Sequence, residues 1–305
     1  MARAPFTKQS NPTKTLSMAN SVWRERATLA RGHRSGVSSA TPLRALAAGI
    51  SQIARTALAE PYMLTVERRE IFLRRLPREL DRFRIVQLSD VHHGPFTAGD
   101  QIHRAVEVAN SLDPDLIALT GDYVSHERAY AAPCAEMLGR LRARHGVYAV
   151  LGNHDHWVDA ALITDLFTFA GIRMLVNEGM RFEARGASFW LAGVDDTMVG
   201  MEDLSLALAG SSADEMKLLL AHNPVILRRA ARAGVDLVLS GHTHGGQVTL
   251  RSEREPSGRP RRRLLRGLGR QGATQIYVTR GLGTVVLPIR YGSPPEVSLL
   301  ELRRQ

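Results

Sequence analysis

Residues 83–94, FRIVQLSDVHHG, set an apolar run from Phe83 to Leu88 directly against the polar cluster Ser89-Asp90-Val91-His92. A short apolar run bounded by polar residues reads as a strand. The same join recurs along the chain. Leu116–Leu119 leads into Gly121-Asp122, Val147–Leu151 into Gly152-Asn153-His154-Asp155, Lys217–Ala221 into His222-Asn223, and Val235–Leu239 into Gly241-His242-Thr243-His244. Between the first two, Ile102, Ala105, Val106, Ala109 and Leu112 recur at intervals of three and four and share one helical face, which Pro114 ends. Strands alternating with helices imply a layered α/β domain, with helices covering a central sheet or sheet pair. In open α/β sheets the carboxyl ends of the strands face the ligand crevice, so the five clusters are expected to converge there.

Outward from this frame, Met63–Glu67 and Glu70–Leu73 read as two short strands. A helix is expected near Cys134, Leu138 and Leu141, and another carrying Val158, Leu162, Leu166 and Phe169, with Gly171 where a C-cap would fall. Further strand-like pieces lie at 173–176, 188–194, 275–279 and 296–302, and a helix from Pro224 to Ala233 opens with proline in its favoured first turn. Residues 1–60 are expected to be a mobile basic tail, with a short Ala-rich helix between Leu43 and Leu58. The domain proper is placed at 61–305. Within it, 251–270 carries eight arginines in twenty residues and reads as a flexible, solvated loop or a grip on a polyanion.

The 44% hydrophobic content supports a sizeable core. The formal net charge of +10 is concentrated in the first sixty residues, where nine Lys or Arg face only Glu25 and Glu60, so charge alone does not separate a binding role from solubility. Cys134 is the single cysteine, which excludes an intrachain disulfide and a thiolate zinc site. Its expected role is a small apolar residue on a helix.

Carboxylates, an amide oxygen and imidazoles together suit divalent manganese, iron or zinc. If the chain is extended there, alternate residues Asp90 and His92 lie on one side and can share an ion, as can His242 and His244. Asp122, with two oxygens, can bridge two ions. Two ions about 4 Å apart can share a hydroxide nucleophile and stabilise both the attacking and leaving oxygens of an in-line phosphoryl displacement.

The ordered set Asp-x-His, Gly-Asp, Gly-Asn-His-Asp, His and Gly-His-x-His resembles the signature of the calcineurin-like metallophosphoesterase superfamily from about residue 83 onward. The segments SDVHHG, GDYV, GNHDHW, LAHNP, SGHTHGGQ and VTRGLGTVVLPIRYGSPPEVSLLEL are similar to its bacterial YkuE/YaeI-type branch of phosphodiesterases and phosphohydrolases. The resemblance implies a four-layer α/β/β/α sandwich. It implies one divalent ion on Asp90, His92, Asp122 and His244, and a second on Asp122, Asn153, His222 and His242, with manganese the first to try and iron, zinc or nickel as alternatives. His154 would then protonate the leaving oxygen or stabilise the developing phosphorane charge, and Asp155 would orient it.

The expected activity is hydrolysis of a phosphodiester or phosphomonoester. Two rivals stand beside it: a nuclease using the basic loop to track phosphates, and a non-catalytic interaction module on the same fold. The expected partner is a phosphorylated small molecule or lipid, with nucleic acid less favoured. No transmembrane helix or signal peptide is expected, which points to a cytoplasmic protein with at most peripheral membrane contact. His93 and His156 are expected to line the cleft or face solvent, Trp157 and Tyr123 to form cleft walls or packing, and Arg280 to reach a phosphate or make a structural salt bridge.

Overall fold

The computed structural model describes residues 41–249 and 265–305, so the expected tail over 1–40 and most of the arginine-rich segment lie outside the described residues. Residues Ala47–Gln305 form one compact unit. In chain order the elements are α1 (Thr41–Ala59), β1 (Thr65–Leu73), β2 (Phe83–Leu88), α2 (Gly99–Ser111), β3 (Leu116–Thr120), α3 (Ala131–Leu138) and β4 (Val147–Val150). There follow α4 (Asn153–Val158), α5 (Ala160–Phe169), β5 (Arg173–Met174), β6 (Glu178–Ala184), β7 (Ala187–Gly193), α6 (Leu204–Ala207) and β8 (Lys217–Leu220). The last are α7 (Leu227–Arg232), β9 (Leu237–Ser240), β10 (Gly267–Gln271), β11 (Thr274–Val278) and β12 (Glu296–Arg304).

The strands form two six-stranded sheets, β1-β12-β2-β3-β4-β5 and β10-β11-β9-β8-β7-β6. Pairing is parallel except where β12 meets β2, β10 meets β11 and β6 meets β7. Three cores separate four layers. Ile85, Leu116 and Ala118 of the first sheet pack with Phe189, Leu218 and Leu239 of the second. On the outer face of the first sheet, Val86, Ile117 and Ala149 meet Ala105 of α2, Cys134 of α3 and Phe167 of α5. On the outer face of the second, Ala192, Leu219 and Val238 meet Ala207 of α6 and Ala230 of α7. Central strands are therefore buried on both faces, which is why they read as unbroken apolar runs. The architecture is the expected α/β/β/α sandwich.

Four local expectations are corrected. The two strands expected at 63–73 are one, β1, held in parallel register along all nine residues by β12. Helix α5 restarts the helical phase, because Asp159 caps it by accepting the Leu162 amide at 3.0 Å. Its buried stripe is therefore Ile163 and Phe167, while Phe169 is 94% exposed. Strand β6 carries no clear apolar run in the sequence. It is an edge strand that buries only Phe182 and Ala184, and it joins β7 through Arg185-Gly186, both at positive φ as a two-residue hairpin requires. Finally, the end of the expected arginine-rich loop is ordered as β10, which pairs with β11 around a turn whose Gly272 has φ +61°.

Candidate metal centre

Both sheets direct the carboxyl ends of β2, β3, β4, β8 and β9 to one end of the sandwich, and each strand is followed there by a polar cluster. The side chains meet in three groups whose potential ligand atoms lie within 4.8 Å of one another: Asp90, His92 and His244; His92, Asp122 and His154; Asp122, His222 and His242. Asn153, the seventh expected ligand, opens α4 and is buried with its Oδ1 unpartnered. All seven residues expected to hold metal are thus at this end of the fold.

The backbone that presents them is unusual. Asp90, His92, Asp122, His242 and His244 all have φ between +47° and +70°. Left-handed conformations cost a non-glycine residue roughly 1–2 kcal/mol each and persist where the surroundings enforce them, often at functional sites. Here the Asp90 amide donates to Gly121 O at 2.9 Å and the His92 amide to Asp122 O at 3.0 Å. Asp90 and His92 therefore converge through two left-handed residues and not through an extended Asp-x-His segment, which corrects the sequence reading. Two glycines permit the approach. A Cβ on Gly152 would lie 2.2 Å from Asp122 Oδ1, and one on Gly241 would lie 2.2 Å from Asp90 Oδ2.

Hydrogen bonds fix which atoms face the centre. His222 Nδ1 donates to Thr120 O at 2.7 Å, so its Nε2 is the free nitrogen. That Nε2 lies 3.1 Å from Asp122 Oδ2 and 3.2 Å from His242 Nδ1. Asp122 Oδ2 is also 3.5 Å from His92 Nε2, which sits 3.1 Å from His244 Nε2, itself 3.3 Å from Asp90 Oδ1. So many lone pairs converging in a buried site could hold a cation. The donor set, carboxylate and imidazole with one orphaned amide oxygen, fits hard to borderline divalent ions.

Electrostatics point the same way. Burial pushes His92 down to about 3 and His242 to about 4, and drives His244 well below the usual histidine range, leaving neutral imidazoles of the kind metals bind. Burial also pushes Asp90 up to about 6. His222 goes the other way, to about 10: burial opposes its charge, but the Asp122 and Asp90 carboxylates overcome that, so a proton there answers the same negative field a metal ion would.

His154 is held differently. Its Nδ1 donates to Ser125 O at 2.8 Å, and its ring lies 4.5 Å from that of Trp157 and 5.3 Å from that of His126. The expectation that Asp155 orients this ring is corrected. Asp155 accepts the amides of Asp122, Tyr123 and Gly152, each at 2.8 Å, and so ties the segment after β3 to the segment after β4. Burial raises its carboxyl to about 7.

Among the other residues singled out, His93 is buried with Nδ1 on Thr97 O, and His156 binds Asp195 through Nε2. Tyr123 is packing, its ring 4.3 Å from that of Phe167, while Trp157 is exposed beside His154. Arg280 pairs with Glu296 at 2.9 Å and bonds Thr65, the structural alternative. Sequence reasoning missed Ser125, which acts through its carbonyl, and Arg290. The latter is fully buried and donates to the carbonyls of Gly281, Gly283, Arg280 and Ser293, shaping the segment beside Asp90.

A paired-sheet sandwich whose strand ends bring carboxylates and imidazoles into groups that could hold metal defines the class. The chain belongs to the calcineurin-like phosphoesterase family, metal-dependent hydrolases of phosphate esters, whose profile matches residues 83–246. It is 32% identical over 249 residues to the metallophosphoesterase YkuE of Bacillus subtilis, covering 80% of this chain and 87% of that protein. It is 33% identical over 225 residues to the Escherichia coli phosphodiesterase YaeI, covering 72% of this chain and 82% of that protein. A bovine transmembrane protein with metallophosphoesterase domain is 35% identical over 261 residues, 80% of this chain, which spans 57% of the bovine protein. Among the described residues no helix is long and apolar enough to cross a membrane.

Proposed function

We propose that the chain hydrolyses phosphate esters with two divalent ions, and that phosphodiesters are the first substrates to test. The single observation that carries this reading is Asp122 Oδ2, which faces His222 on one side and His92 on the other. Asp90, His92, Asp122 and His244 would hold one ion, and Asp122, Asn153, His222 and His242 the other. When bound, such a pair supplies a water made acidic near neutral pH and positive charge to offset that of the phosphoryl group.

The chain's own residues do the rest. The carbonyl of Ser125 holds His154 Nδ1, which leaves Nε2 as the atom able to give a proton to the departing oxygen. Asp155 keeps the Asp122 and Asn153 segments in register through three amides. Manganese is the metal to try first, and the name of the E. coli relative supports phosphodiesters over monoesters.

The test is hydrolysis of bis-p-nitrophenyl phosphate and p-nitrophenyl phosphate by protein purified metal-free and resupplied with manganese, iron, nickel or zinc. Stimulated turnover is expected with at least one metal. Inactivity with all four would remove the enzymatic reading and leave a binding module.

A further inference from the structure

A cavity of about 320 Å³ shares a wall with the candidate centre. His92, His154 and Thr284 are its buried lining, and Pro95, Phe96, Tyr130, Val285 and Val286 supply its apolar wall. We propose that this cavity receives the leaving group and selects an apolar alcohol, so that the preferred substrate is a phosphate ester of an aliphatic or lipid-like alcohol. This rests on the hydrolase reading above.

The side of the reaction follows from His154. A group that protonates the departing oxygen must lie within hydrogen-bond reach of it, on the leaving side of phosphorus. In the balanced step, the oxygen of water bonds to phosphorus as the bond from phosphorus to the alcohol oxygen breaks. That electron pair stays on the alcohol oxygen, which takes a proton from the protonated His154 ring at Nε2; solvent receives the proton of the attacking water and returns one to Nε2. The space sharing a wall with His154 is therefore where the alcohol lies.

The chemistry of the alcohol follows from the walls. Phe96 is 46% exposed and Val286 75% exposed, so both leave apolar surface in water that an alkyl chain would cover. Val286 is fixed there. It has φ +66°, a strained conformation for a β-branched residue, and its neighbour Val285 is pinned on both sides by Gln247, whose Oε1 accepts the Val285 amide at 2.9 Å and whose Nε2 donates to Val285 O at 3.0 Å. Tyr130 is held with its ring 4.9 Å from that of His93.

Beyond the two histidines, the polar lining is mostly engaged or exposed. The Ser125 hydroxyl already donates to His92 O, and His126 and Glu127 are exposed at the rim. Thr284 Oγ1 is buried without a partner and offers one hydrogen bond, enough for an ester oxygen near phosphorus. A sugar or nucleoside would bury hydroxyls against this apolar wall, which disfavours it.

The experiment compares n-alkyl phosphates and methyl n-alkyl phosphodiesters from methyl to octyl with glycerol phosphate and phenyl phosphate, using the metal-loaded full chain. On whichever ester class is hydrolysed, kcat/KM should rise about three- to fourfold per methylene over the first few carbons, and glycerol phosphate should fall below propyl phosphate. The phenyl arm separates an aryl from an alkyl preference. Val286→Asp and Phe96→Ser, both at exposed positions, should cut the octyl-to-methyl ratio about tenfold. Calorimetry with methyl- and octylphosphonate should show the same ratio in binding. Hydrolysis with a flat chain-length profile would overturn the pocket assignment and leave the hydrolase standing. Absence of hydrolysis of every ester with every metal would remove the hydrolase reading and this inference with it.

Discussion

The carboxylate of Asp122 is divided between two tasks, since Oδ1 accepts the backbone amide of His154 at 2.9 Å while Oδ2 faces His222 Nε2 at 3.1 Å. One side chain thus fixes the start of α4, where His154 sits, and closes the ligand cluster. Asp122→Asn keeps the shape, removes the negative charge and places a donor among lone pairs. The expected result is loss of both ions by metal analysis and a fall in activity of at least about a hundredfold. His154→Ala should retain close to the wild-type metal content while losing turnover by about 10²- to 10⁴-fold, the usual contribution of a positioned acid. His154 also lies within 4.8 Å of His92 and Asp122. Equal depletion of metal in the two variants would therefore make it a ligand and end its assignment as the acid.

Asp155 has a structural task that the sequence concealed. Its two oxygens satisfy three buried amides, and a buried amide left unpaired costs roughly 1–3 kcal/mol. Asp155→Ala is expected to lower stability by several kcal/mol in chemical denaturation and to release metal together with activity. A side chain that only oriented a histidine would leave the denaturation midpoint where it was.

What could be read from the sequence follows burial. Strands covered on both faces, such as Leu116–Thr120, announce themselves as apolar runs, and the polar clusters at their ends mark the crevice. Edge strand β6, with only Phe182 and Ala184 buried, alternates too weakly to mark a strand. The stripe of α5 is not legible from spacing, because Asp159 breaks the period that Val158, Leu162, Leu166 and Phe169 continue. At the centre, residue types identified Asp90 and His92 but could not reveal their positive φ, which amide contacts to Gly121 and Asp122 across the sheet impose. Ser125 works through a carbonyl that every residue possesses, so no pattern could single it out.

Arg290 is the buried cation that shapes the segment between β11 and β12. Burial lowers its guanidinium to about 10, so it remains charged at neutral pH, and it holds four residues' carbonyls. Arg290→Met preserves much of the volume but abandons these acceptors. It should destabilise the protein by about 3–5 kcal/mol, read as a shift in the urea midpoint. Arg290→Lys should recover little, because an ammonium cannot fork across the same carbonyls.

Asp115 provides a pH-dependent element at the opposite end of β3 from the candidate metal ligands. It accepts the Arg84 amide at 2.8 Å, Arg185 at 2.7 Å and Arg144 at 3.1 Å. Burial would raise its carboxyl, but the Arg84 amide and the two guanidinium groups outweigh it and hold the carboxyl below its usual value. A carboxyl depressed by folding binds its proton more readily in the unfolded chain, so its contribution is complete above the unfolded value of about 4 and disappears as pH falls toward the folded one. Asp115→Asn should therefore cost about 2 kcal/mol at pH 7, and the gap between wild type and variant should close between about pH 4 and the folded value. Thermal denaturation of the two proteins in parallel from pH 7 to pH 3 measures this. A gap that stayed constant across that range would assign the stabilisation to packing and hydrogen-bond geometry in place of charge.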